Sequence, residues 1–178
     1  KCQFDFMDPM CGSGTIAIEA ALIALNIPPG IFRSSFAFEN WKDFDADLFD
    51  AIYNDDSHER AFKHTIFASD IARKAIAIAE SNIKNAGLSK YIQLSTCSFA
   101  DVPEPSKPLF MVTNPPYGER LNRGEVESLY SMMGATLKHK FSGSTAWIIS
   151  SSREGFDKIG LKPDAKIPLI NGSLPCEY

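Results

Sequence analysis

The sequence predicts a doubly wound α/β domain built on a Rossmann-like sheet, and three observations predict it. Short β-rich apolar runs alternate with alanine-rich helical stretches along the chain. A glycine turn, Gly12-Ser13-Gly14, separates the first such run from the first helical stretch. A later run, Leu109-Phe110-Met111-Val112, leads straight into Asn114-Pro115-Pro116-Tyr117, a loop stiffened by two prolines. At 178 residues the chain forms one domain of ordinary size, long enough to bury a core without disulfide or metal staples.

The first strand is expected over Phe4–Met7, followed by the turn Asp8-Pro9-Met10-Cys11-Gly12-Ser13-Gly14-Thr15 and a helix over Ile16–Leu25, rich in the strong helix formers Ala and Leu. Gly12 and Gly14 let the backbone turn sharply and let a ligand approach it, with a helix N-terminus behind. Gly12-x-Gly14-x-x-Ala17 satisfies the dinucleotide fingerprint, a weak signal on its own. No Gly-Lys-Ser/Thr follows the glycines, which argues against a phosphate-gripping P-loop. Asp8 enters the same turn. Its carboxylate would repel a pyrophosphate and attract a cationic ammonium, such as the one on the amino-acid end of S-adenosylmethionine. A turn or N-cap aspartate serving local amides is the other reading. Cys11 has no histidine near it in sequence and reads as a small buried filler rather than a nucleophile.

The next strand, Thr65–Ala68, leads to Asp70 and Ile71 and then to a helix over Ala72–Ala86. A carboxylate at a strand's C-terminal end can accept hydrogen bonds from both ribose hydroxyls of an adenosine-type cofactor. Asp70 lies much further from the glycines than the roughly 20 residues of the standard fingerprint, so an insertion is expected at about residues 26–63. Within it, Asn40 to Arg60 is acidic, while Trp41, Phe44, Leu48, Phe49 and Ile52 suggest an amphipathic helix packed on the domain with its charges solvated. Further strands are expected over Tyr91–Leu94, Leu109–Thr113, Thr145–Ser150 and Lys166–Ile170, with helices over Val126–Lys140 and Ser151–Ile159. Tyr130, Met132 and Met133 sit in the longer of these helices as core packing.

In the proline loop, Asn114 and the Pro115 carbonyl can be aimed without flexibility, and Tyr117 adds an aromatic face. These are the parts needed to hold a planar amino group, such as a nucleobase exocyclic amine, and to stack on its ring. An ordinary proline turn with a surface tyrosine uses the same residues. Arg120 and Arg123, just beyond, either meet nucleic-acid phosphate or form a solvated charged turn.

Net charge is -4, the wrong sign for an autonomous grip on nucleic acid. The four cysteines and three histidines are scattered without ligand spacing, so neither a zinc site nor a disulfide framework is suggested. No stretch reaches transmembrane length and no signal-peptide pattern occurs, so a reducing cytoplasm is expected.

The set Asp8 to Thr15 with Ile18-Glu19-Ala20-Ala21, then Ser69-Asp70, then Asn114-Pro115-Pro116-Tyr117-Gly118-Glu119-Arg120-Leu121, resembles the THUMP-associated RNA guanine-N2 methyltransferases. Within them it most resembles the bacterial enzymes that modify large-subunit (23S) ribosomal RNA. Pro28-Pro29-Gly30, Arg33, Phe36-Ala37-Phe38-Glu39 and Trp41 also resemble that family's insertion. The resemblance implies a class I methyltransferase fold, its sheet mostly parallel with an antiparallel last strand. It implies S-adenosyl-L-methionine as donor, S-adenosyl-L-homocysteine as product, no metal, and a guanine N2 amine in RNA as acceptor. Asp8, Pro9, Met10, Cys11, Gly12, Ser13, Gly14 and Thr15 would carry the donor's methionine end, and Asp70 with Ile71 its ribose. Asn114, Pro115, Pro116 and Tyr117 would carry the target base, with Asn114 also facing the donor. Many relatives place an acidic residue after the third strand to read the adenine amine. Here Ser98 stands there, leaving Asp101 as a substitute or Phe99 to stack on adenine. Residues 1–178 are then expected to be the catalytic domain of a longer chain, with an N-terminal THUMP module supplying the RNA grip. A tRNA guanine-N2, DNA adenine-N6 or protein glutamine methyltransferase could use the same loop. A nucleotide-binding oxidoreductase or a non-catalytic nucleotide-binding module is the reading from a different class, which Asp8 and the Asn114 loop disfavour.

Overall fold

Strand β1 (Phe6–Asp8) is short but central, since it pairs in parallel with β2 (Ile66–Asp70) on one side and β4 (Phe110–Thr113) on the other. The structure, a computed structural model, describes residues 4–116, 121–171 and 174–177. β3 (Ile92–Thr96) extends the sheet beyond β2, and β5 (Thr145–Ile148) extends it beyond β4. The order is β3-β2-β1-β4-β5 and every pairing is parallel. β6 (Pro168–Asn171) and β7 (Leu174–Glu177) pair antiparallel as a separate two-stranded ribbon, so the antiparallel partner of the last strand is β6.

Helices cover both faces, as parallel strands with crossover connections require. α1 (Thr15–Leu25) and α3 (Arg73–Asn85) bury Ala17, Ala21, Leu22, Leu25, Ala79 and Ile83 against Ile66, Ala68 and Ile92. On the other face α4 (Arg123–Lys140) buries Val126, Tyr130 and Met133 against Met7, Leu109 and Met111. Tyr130 and Met133 are therefore core residues, as the sequence suggests. α4 opens with a reciprocal cap: Asn122 Oδ1 accepts from the Glu125 amide (3.0 Å), and Glu125 Oε2 accepts from the Asn122 amide (2.9 Å). Near its other end, Lys140 Nζ donates to the carbonyls of Ala100 (2.6 Å) and Val102 (3.1 Å), tying down the 3-10 turn Phe99–Asp101.

The insertion departs from expectation. It does contain a helix, α2 (Ala46–Tyr53), but no residue of α2 is buried, and Leu48 (57 % exposed) and Ile52 (64 %) face solvent. What packs is an aromatic cluster local to the insertion, in which Phe36, Phe38, Phe44, Phe49 and Tyr53 meet at ring separations of 5.1–6.3 Å. An eight-residue helix offers two turns of apolar side chains, and here the i, i+4 pair Phe49 and Tyr53 faces the cluster while Leu48 and Ile52 face outward.

α4 meets α5 (Arg153–Ile159) at backbone distance because Gly134 has no side chain. A Cβ there would stand 1.8 Å from the Ile159 carbonyl oxygen. Gly134→Ala is accordingly expected to destabilise the domain by about 1–3 kcal/mol or more, since neither backbone can yield freely. Gly124→Ala, whose nearest neighbour would lie at 3.6 Å, should be close to neutral. Urea unfolding of the two variants checks this, and equal midpoints would refute the tight α4–α5 seam.

Candidate active site

The turn after β1 is built for rigidity despite its glycines. Gly12 (φ 54°) and Gly14 (φ 84°) adopt left-handed backbone that side chains disfavour. The Cys11 amide donates to the Ser69 carbonyl (2.9 Å), and Ser69 Oγ donates to the Pro9 carbonyl (3.3 Å). The Gly12 amide donates to Asp70 Oδ2 (3.0 Å), while Asp70 Oδ1 accepts from the Ala72 amide (2.8 Å). Asp70 thus joins the turn to the start of α3 and keeps a spare lone pair on each oxygen for hydroxyl donors. On the far side, Asn82 Nδ2 of α3 donates to the Ser13 carbonyl (2.9 Å). Among the described residues no side chain caps α1, whose first-turn amides follow directly on Gly14.

Asp8 is fully buried at the root of this turn. Its Oδ1 accepts a long bond from the Met10 amide (3.3 Å), which is the local-amide contact expected of a turn aspartate. Its Oδ2 and the Oγ1 of Thr113, on the neighbouring strand β4, are buried without a hydrogen-bond partner among the described residues. Burial pushes the Asp8 carboxyl up to about 7. The Met10 amide and the nearby Thr113 hydroxyl oppose that rise, and the Asp70 charge adds to it. Thr113 is close enough to favour the ionised form while standing outside hydrogen-bond geometry. Burial likewise pushes the Cys11 thiol up to about 12, helped by the charges of Asp8 and Asp70, so it is no nucleophile.

Parallel pairing of β1 with β4 brings the Asn114 loop out beside this turn. Asn114 is exposed, Pro115 is buried and Pro116 partly so, giving an anchored loop with a free amide side chain. Tyr117, Gly118, Glu119 and Arg120 lie outside the described residues. Arg123 is mostly exposed but ion-paired with Glu127 (3.5 Å) and Glu154 (3.1 Å), the solvated charged arrangement rather than a lone phosphate ligand.

Phe99 is buried in the core on Phe141, with ring centroids 5.4 Å apart, so its ring has no free face to stack on adenine. Ser98 Oγ accepts from the Ala100 amide (3.4 Å) as the cap of the 3-10 turn, and Asp101 is exposed in that turn. The free apolar surface at this edge belongs instead to Ile71, 75 % exposed just after Asp70. Among the described residues no group of three or more His, Cys, Asp or Glu is placed to hold a metal ion.

The family described as UPF0020, RMKL-like methyltransferase domain, matches residues 3–178. The chain belongs to that family. It is 38 % identical over 177 residues to slr0064 of Synechocystis, covering 98 % of this chain and 46 % of that protein. To ribosomal RNA large subunit methyltransferase K/L of Shewanella frigidimarina it is 38 % identical over 179 residues, 97 % of this chain and 25 % of that one. The crystal structure of SMU.472 complexed with SAH matches with a TM-score of 0.88 at 34 % identity, covering 99 % of this chain and 47 % of that one. The chain therefore spans half or less of the length of these relatives.

Two residues of this methyltransferase-family site escaped sequence reasoning. Thr113 reads as one more apolar-strand position, and Asn82 as a polar residue in an alanine-rich helix; no local spacing connects either to the glycines.

Asp8 generates a pH prediction. Its folded-state value, about 7, lies above the ordinary 3.8, so the folded chain holds this proton more tightly than the unfolded one. The stability tied to it is fully present below about pH 3.8 and is lost as pH rises through about 7. At 1.36 kcal/mol per pH unit the loss is at most about 4 kcal/mol. Asp8→Asn should be the more stable chain at pH 8 and lose that advantage toward pH 4. Urea unfolding across this range measures it; a difference independent of pH would refute the buried ionisation.

Proposed function

We propose that the chain is the catalytic domain of an S-adenosylmethionine-dependent RNA methyltransferase that acts on the exocyclic N2 amine of a guanine in 23S ribosomal RNA. The observation that carries this reading is the pairing of β1 with β4, by which the Asp8–Thr15 turn and the Asn114-Pro115-Pro116 loop leave the sheet side by side. The K/L name of the Shewanella relative and the SAH bound to SMU.472 support it.

The residues present fit such a donor. Gly12 has open space where a side chain would stand, so its backbone can be approached. The unpartnered Asp8 Oδ2 lacks a counter-charge that a cationic ammonium would supply, and Asp70 has lone pairs for ribose hydroxyls. Ile71 offers an apolar face for the adenosine end, a role for which the ring of Phe99 is not free. When bound, the donor supplies an electrophilic methyl on a sulfonium. The chain's own contribution is to hold and aim the acceptor. A guanine N2 lone pair is delocalised into its ring; the Asn114 side-chain oxygen and the Pro115 carbonyl, by accepting hydrogen bonds from its N–H groups, localise that pair and point it. The N–C bond forms as the S–C bond breaks, and the proton leaves the alkylated amine for solvent. Such positioning accounts for up to about 7–11 kcal/mol in well-oriented reactions. The amine of a stacked, paired guanine is out of reach, so the substrate is single-stranded or flipped, with Tyr117 stacking on the base. The net charge of -4 supports an RNA grip supplied by another module of a longer, cytoplasmic protein, a THUMP module on the resemblance.

Incubation with labelled donor and unmodified ribosomal RNA, tRNA, DNA or protein, followed by mass spectrometry, should yield N2-methylguanosine in ribosomal RNA. N6-methyladenine in DNA, or methylglutamine in protein, would overturn the acceptor assignment. Asn114→Ala should lower transfer about 100-fold or more while leaving SAH binding by calorimetry nearly intact. Asp70→Ala should weaken SAH binding first; unchanged affinity would remove Asp70 from the donor site.

A further inference from the structure

We propose that Asn82 of α3 is a positioning residue for the methyl donor, acting from behind the glycine turn through the peptide between Ser13 and Gly14. This rests on the donor reading above and assigns to it a residue that does not touch the donor. Both ends of that peptide are held. The Ser13 carbonyl accepts from Asn82 Nδ2 at 2.9 Å, and the Gly14 amide donates to the Cys11 carbonyl at 2.8 Å. Without the first bond, only the bond of the Gly14 amide to Cys11 resists rotation of this peptide, because the glycine that follows, at φ 84°, tolerates several backbone regions about equally. The bond links residues 69 apart in sequence, so it is a tertiary constraint and no part of the turn's own chemistry.

The same face of α3 backs the turn sterically. A Cβ on Gly14 would stand 3.2 Å from the Ala79 Cβ and 3.8 Å from the Ile83 Cδ1. Residues 79, 82 and 83 share one helix face by i, i+3 and i+4 spacing, so packing and hydrogen bond act at one place. Asp70 holds the opposite side of the turn through the Gly12 amide, and the same carboxylate takes the Ala72 amide at the start of α3. α3 is therefore attached to the turn twice, near its start and in its third turn. Gly14 is also the residue that opens α1, whose first amides no side chain among the described residues caps. Rotation of the preceding peptide re-aims the Gly14 amide at the start of α1 and the Ser13 carbonyl beside it, which makes the direction of the turn's own polar groups depend on Asn82. A side chain that sets backbone direction in this way lowers the cost of donor binding and does no chemistry.

The test compares Asn82→Leu, Asn82→Asp and Asn85→Leu, the last being the same kind of change in the same helix away from the turn. Loss of one neutral hydrogen bond corresponds to about 3–10-fold, so SAH affinity by calorimetry and donor KM should both weaken by that factor in Asn82→Leu. Asn82→Asp, which sets carboxylate oxygens against the Ser13 carbonyl, should weaken them further, and keeps the test open should the leucine variant fold poorly. kcat at saturating donor and KM for RNA should stay within about twofold, because chemistry and base positioning lie elsewhere. Asn85→Leu should match the native chain throughout. Unchanged donor KM in both Asn82 variants would overturn the inference, as would a parallel fall in kcat and RNA affinity, the mark of a general structural role. A native chain that binds no SAH would refute the donor reading itself, and this inference with it.

Discussion

Parallel pairing of β1 on both its edges is the constraint from which the site follows. Parallel strands end at one edge of a sheet, so the segments after β1, β2, β3 and β4 emerge together although they are far apart in the chain. Asp8, Asp70, Ser98 and Asn114 each occupy the end of a different strand or lie one or two residues past it. The helices that return the chain to the opposite edge then cover both faces, and the two hydrophobic clusters form between those helices and the sheet. Had any of these pairings been antiparallel, one of the four segments would have emerged at the wrong end.

Within that frame, the glycine turn gains its shape from its neighbours. Glycine lowers the strain of left-handed backbone, but it also widens the range of conformations open to the chain. Bonds with Ser69, Asp70 and Asn82 narrow that range again, three from β2 and one from α3. Asp8 shows the opposite balance. A buried carboxylate with one long hydrogen bond and one orphaned oxygen works against stability at neutral pH. Such a group, kept at the root of the proposed donor turn, is a local inconsistency of the kind that functional sites carry.

The insertion stands apart from this arrangement. Its roots are the Arg60 amide on the Leu25 carbonyl (2.7 Å) and Asn26 Nδ2 on the His58 carbonyl (2.9 Å), both at the C-terminal end of α1. α1 begins at the glycine turn and rises about 1.5 Å per residue, roughly 16 Å over its length. The insertion is therefore rooted on the side of the domain away from the turn, stabilised mainly by its own aromatic rings.

What the sequence by itself determined was local or periodic. The strand runs, the helix over Ile16–Leu25, the glycine turn, Asp70 at a strand end and the proline loop after an apolar run all announce themselves within a few residues. Their boundaries moved by no more than three positions in the fold. Tertiary structure decided what depends on partners distant in the chain. Phe99 became core because Phe141 covers it, and Arg123 became paired because α5 presents Glu154 to it. Leu48 and Ile52 stayed in solvent because the insertion found its packing in its own rings. Asn82 meets the Ser13 carbonyl because α3 lies against the glycine turn. A side chain's type and local spacing record which partners it could accept, whereas the partner it meets is set by how the sheet orders its strands.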